Sequence, residues 1–161
     1  MPMRAIFPKS WGDAKHYDSP MTTVAVEVTT DASPSAVWDA VRDVGSLHTR
    51  LVPGFVLATE LVPGGRRVTF ANGLVVVEPI VSVDDNLRRL AWTAQGGSSG
   101  VTHYNAAVQV YPREVGGSRV VWTADVLPHE AAEGIAAMMK AGASAMTGAL
   151  ARLAAQSAQQ K

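Results

Sequence analysis

Everything after Leu127 reads as one element. The stretch "PHEAAEGIAAMMKAGASAMTGALARLAAQSAQQ" contains no break, and its apolar residues recur at helical spacing: Ile135, Met138, Met139, Gly142, Met146, Leu150 and Leu153 form one stripe. This predicts a helix of about 28 residues. Its richness in Ala and Gly makes that stripe shallow. A lone helix with one apolar face must bury it against the rest of the chain, so the upstream sequence has to supply a matching surface.

That surface is β-structure. Residues 24–30, "VAVEVTT", alternate with period two, Val24, Val26 and Val28 facing one side and Glu27 and Thr29 the other. "DASPSAVWDAVRDV" follows, with Ser33 as N-cap, Pro34 as first helical residue, and Val37, Trp38 and Val41 on one face. Gly45-Ser46 breaks this helix, and a second short one reaches about Leu51. Six further strands are expected at 55–62, 66–71, 74–83, 88–94, 103–111 and 118–126, punctuated by Pro63-Gly64-Gly65, Asn72-Gly73, Asp84-Asp85-Asn86, a glycine-serine loop and the 112–117 turn. Pro79 inside the fourth strand implies a bulge or an edge. The fold class is α+β: a seven-stranded antiparallel sheet wrapped around a long C-terminal helix, with two short helices after strand 1. A curved sheet gripping a thin helix leaves a hollow suited to a small ligand.

In their order, "SPSAVWDAVRDV", "ANGLVVVEPIVSVDDNLRRLAWT", "HYNAAVQVYP" and "VVWTADVLP" resemble the START-like superfamily over about residues 22–157. This is the helix-grip fold shared by birch-pollen-allergen-like proteins, lipid-transfer domains, polyketide cyclases and abscisic-acid receptors. The chain is most similar to the bacterial polyketide cyclase/dehydrase-like branch. The resemblance implies a cavity between sheet and helix. In the plant hormone receptors a glutamate two strands before the loop and a tyrosine just after it line the pocket, and Glu78 and Tyr104 hold those positions here. The receptors' latch corresponds to residues 96–103. Their ligand-anchoring lysine falls at Leu51, which cannot hold a carboxylate, and the adjacent Arg50 points elsewhere.

The residues themselves narrow the candidates. Glu78 interrupts the apolar "VVVEPIV"; it either faces solvent at the bulge or faces the cavity as an acid, base or hydrogen-bond acceptor. Tyr104 shares the apolar face of its strand with Ala106, Val108 and Val110, which makes it a core tyrosine or a pocket-lining one. His103 and Asn105 point the other way, so His-Tyr-Asn is not one cluster. His103 belongs at the loop edge, beside the pocket mouth. Trp92 and Trp122 face inward as core or pocket wall, and Asp125 is expected to hold the strand-to-helix turn. Met138, Met139 and Met146 suit an adaptable apolar wall, with Phe55, Phe70 and Val77 adding to it. If chemistry occurs, Glu78 and Tyr104 are the residues to carry it.

Other classes find little support. Fourteen basic residues balance fourteen acidic ones, so nothing argues for nucleic acid or an anionic membrane as partner. The histidines at 16, 48, 103 and 129 lack ligand spacing, so no metal is expected, and no cofactor motif is present. "GGSSG" precedes no helix and is no phosphate cradle. No run approaches the roughly 20 apolar residues of a membrane span. Cysteine is absent, which excludes a thiol nucleophile and fits a reducing cytoplasm. Residues 1–22 read as an extension lying on the surface or partly disordered, with Met21 as an alternative start; residues 23–158 form one domain. The reading is a monomer or homodimer that binds a small hydrophobic molecule. The alternatives are a polyketide cyclase/aromatase-like enzyme using the same cavity, or a protein-interaction module.

Overall fold

A computed structural model describes residues 21–95 and 100–160 of the 161-residue chain. Residues 1–20 of the expected N-terminal extension and residues 96–99 of the expected latch fall outside the described residues, and Thr22, expected in the extension, already belongs to the first strand. Strand β1 (Thr22–Thr30) leads into helix α1 (Pro34–Arg42), whose first turn is capped by the Ser33 hydroxyl accepting from the Ala36 N–H. Arg42 sits in its last turn, where a positive charge suits the negative end of the helix dipole.

The second short helix, reaching Leu51 as expected, is irregular: a 3-10 turn at Val44–Ser46 runs into a wide π-type turn at Leu47–Leu51. Gly45 lets the first turn approach the sheet, since a Cβ there would lie 3.3 Å from the Leu61 side chain.

Strands β2 (Val56–Val62), β3 (Gly65–Phe70), β4 (Val75–Asp84), β5 (Arg89–Thr93), β6 (His103–Pro112) and β7 (Ser118–Leu127) follow. Each pairs with its sequence neighbour, and β1 returns to pair with β7, giving the order β1-β7-β6-β5-β4-β3-β2. Every pairing is antiparallel. β4 is an interior strand, so Pro79 marks no edge. The β4–β5 register slips between Ile80 and Ser82, the bulge that a proline nearby favours.

The closing helix α2 (Ala132–Gln159) has 28 residues and no charge on its buried face, where Met139, Gly142, Met146, Ala149 and Leu150 lie. It packs along β1 and across the concave face of the sheet. Gly142 permits the closest approach: a Cβ there would meet the Trp122 ring at 2.8 Å and the Phe55 ring at 3.1 Å. Asp125 does not hold the turn into α2. Its carboxylate accepts from the Thr23 hydroxyl at 2.6 Å, tying β7 to β1, because its side of the strand faces away from the helix.

Candidate ligand cavity

Between the concave sheet and α2 lies a cavity of about 340 Å³. Strand alternation decides what faces it. The paired residues Val68 and Val76 point inward, as do Trp92 and Ala106, Tyr104 and Val126, and Val108 and Trp122, because directly opposed residues share a face. Phe55 and Phe70 close one side, edge to face, with ring centroids 5.4 Å apart. Trp92 and Trp122 form a second aromatic wall with centroids 6.3 Å apart. Leu47, Leu51 and Val52 come from the turns after α1, and Ile135, Met138 and Met146 from α2.

Of the residues singled out in the sequence, Phe55, Phe70, Glu78, Trp92, His103, Tyr104, Trp122, Met138 and Met146 border this space. Met139 does not. It is fully buried in the core, because consecutive helical residues diverge by about 100° and Met138 and Met139 cannot face the same way. Val77 is also absent from the wall; Val76 and Glu78 on either side take the inward positions, as period two requires. His103 is exposed and stands with Gln95 and Thr102 at the outer end. Leu51 lines the cavity with an apolar side chain, whereas Arg50 is tied to Asp39 at 2.7 Å and Asp43 at 2.9 Å.

The sequence reading missed Arg66. It lies directly across from Glu78 in the β3–β4 ladder and lines the same cavity. Its Nε–H donates to Glu78 Oε2 at 2.7 Å, with side-chain exposures of 3% and 8%. The Arg66 guanidinium also lies 5.5 Å from the centre of the Trp92 ring, within cation–π range. A guanidinium and a carboxylate buried this deeply are tolerable only as partners.

Burial pushes the Glu78 carboxyl above its ordinary value of 4.5, and the Arg66 charge and hydrogen bond, with the Trp92 N–H, pull it only partway back. Burial, then the nearby Glu78 charge, push the Tyr104 phenol above its ordinary value of 10, so Tyr104 keeps its proton at neutral pH. The indole N–H groups of Trp92 and Trp122 are buried without a hydrogen bond of good geometry. Trp92 leans toward Glu78 and Trp122 toward the Tyr104 oxygen, close enough only to favour the charged form of each. The cavity is therefore an apolar chamber that holds one buried ion pair and the donors of Tyr104, Trp92 and Trp122. Among the described residues, no group of three His, Asp or Glu side chains could hold a metal, and no helix is long and apolar enough to cross a membrane.

Comparison with known proteins agrees with this architecture. A family model described as polyketide cyclase / dehydrase and lipid transport matches residues 21–158. No curated protein matches the sequence. Among solved structures, the chain is similar to the protein XoxI from Bacillus cereus, with TM-score 0.69 and 21% identity over 82% of this chain and 96% of that one. The ZhuI aromatase/cyclase from Streptomyces sp. R1128 superimposes with TM-score 0.69 and 18% identity, covering 84% of this chain and 94% of its own. Ara h 8.0201 follows with TM-score 0.63 and 19% identity, over 81% and 97%. At these identities the likeness establishes the helix-grip fold alone.

Proposed function

We propose, from the premise that the chain belongs to the polyketide cyclase / dehydrase and lipid transport family, that it binds a small, largely hydrophobic molecule between the sheet and α2. The observation that carries this reading is the chamber itself: about 340 Å³ walled largely by apolar side chains, among them Phe55, Phe70, Trp92, Tyr104 and Trp122. Apolar surface removed from water supplies affinity at about 25 cal/mol per Å², and Glu78, Arg66 and Tyr104 set orientation. Residues 23–158 act as one binding domain, monomeric or homodimeric, in a reducing cytoplasm.

Native mass spectrometry of protein purified from its host, followed by extraction, tests the proposal. A stoichiometric apolar compound supports it. An empty protein that also takes up no hydrophobic probe would overturn it.

One observation favours a second reading, an enzyme of the cyclase/aromatase kind. Glu78 and Arg66 are titratable groups within hydrogen-bond reach inside the cavity, and the Tyr104 phenol is close enough to feel the Glu78 charge. In that case the chamber would fold a reactive chain for ring closure and Glu78 or Tyr104 would move protons. Glu78→Gln separates the readings: turnover lost with binding retained assigns Glu78 to chemistry.

A further inference from the structure

We propose that the cavity selects an uncharged ligand bearing a hydrogen-bond-accepting oxygen of the carbonyl type, received by the Tyr104 hydroxyl, and that it rejects carboxylates. This rests on the ligand-binding reading above and specifies its ligand class.

The first half of the argument is about charge. Among the described residues lining the cavity, Arg66 is the only arginine or lysine, and its Nε–H is committed to Glu78 at 2.7 Å. The Arg66 Nη1 group reaches the Val44 carbonyl at 3.4 Å, and the guanidinium lies over Trp92. Glu78 thus balances the charge of the one arginine that the described lining holds. An anionic ligand would lose its water, find a guanidinium whose charge Glu78 already balances, and meet the Glu78 carboxylate. His103 stands at the exposed end, where water screens it.

The second half is about unmatched donors. The Tyr104 side chain points into the cavity, and its hydroxyl proton has no acceptor among the described residues. The Trp122 indole beside it can only donate. Trp92 and Trp122 each add a buried N–H without a well-formed bond. Around Tyr104 the chamber therefore offers donors without a matching acceptor. A bare hydrocarbon leaves the Tyr104 donor unsatisfied. A ketone or quinone oxygen supplies an acceptor and nothing else.

Three probes that share one ring system test this: 9-fluorenone, fluorene and fluorene-9-carboxylate, each titrated calorimetrically into the full-length protein. The expected order is fluorenone tightest, by roughly tenfold over fluorene, with the carboxylate weakest. Tyr104→Phe is expected to bring the fluorenone-to-fluorene ratio to about one. Equal binding of ketone and hydrocarbon, tighter binding of the carboxylate, or a ketone advantage that survives Tyr104→Phe would each overturn the inference while leaving the cavity a ligand site. Failure of all three probes to bind would overturn the ligand-binding reading and the inference together. The wild-type ranking decides the question even if the variant does not fold.

Discussion

Arg66 and Glu78 face each other across adjacent strands, and the Arg66 Nε–H donates to Glu78 Oε2 at 2.7 Å in a nearly water-free setting. Such a pair is costly to break and cheap to replace, since each charge is tolerable only beside the other. Arg66→Met is expected to destabilise the protein by about 3–5 kcal/mol at neutral pH, because Glu78 is left buried and unpaired. Arg66→Met combined with Glu78→Leu is expected to recover most of that loss. Urea denaturation of the wild type, the single variant and the double variant checks both statements.

Because the Glu78 value is raised in the folded protein, the folded state holds that proton more tightly than the unfolded chain does. The resulting stability is fully present below the ordinary value of 4.5 and is lost as pH rises through the raised one. The stability of wild type relative to Glu78→Gln should therefore be level below pH 4.5 and decline above it. Denaturant midpoints for both proteins across the acid and neutral range measure this. A difference that grows with pH would mean that Arg66 outweighs burial.

Gly142→Ala sets two effects against each other. Alanine favours a helix interior by about 1 kcal/mol over glycine. Its Cβ would stand 2.8 Å from the Trp122 ring and 3.1 Å from the Phe55 ring, and neither ring can retreat without moving the cavity wall. Overpacking of this kind costs about 1–3 kcal/mol. The expected result is a net loss of stability with a smaller cavity. It is read as a lowered midpoint together with weaker uptake of a hydrophobic probe.

Ser118 is fully buried at the start of β7, and its hydroxyl donates to the Ala32 carbonyl at 2.7 Å. This bond fixes the corner between β1 and α1. Ser118→Ala leaves that carbonyl buried without its donor and is expected to cost about 1–3 kcal/mol. Thermal or chemical denaturation gives the answer directly.

The residues that speak for themselves in the sequence are those in regular alternation. Tyr104, Val108, Trp122 and Val126 lie on the inner face because period two places them there, and the length of α2 follows from an unbroken stripe. What stayed hidden depended on register. Asn72-Gly73 reads as a two-residue hairpin loop, which would set Arg67 opposite Glu78. The loop instead takes three residues, with the Phe70 N–H bonded to the Leu74 carbonyl and Gly73 at φ +85°, and this brings Arg66 opposite Glu78. One residue of slip separates a solvent-facing arginine from a buried one. The alternation of Arg66 with Val68 and Phe70 was the available signal. Met139 escaped for a related reason: a helical stripe is broad, and sequence spacing does not say which part of it meets a void rather than a packed core.

The return of β1 to pair with β7 also bears on how the molecule is made. Thr22 finds its partner in Val126, and the chamber gains its floor only when α2 arrives after that. During synthesis the meander from β2 to β6 can pair locally, but β1 must wait with an unpaired edge until β7 has been made. A nascent chain halted before β7 would expose the aromatic walls to water and to chaperones. In this topology the chamber is complete only once β1 has met β7 and α2 has closed over the sheet.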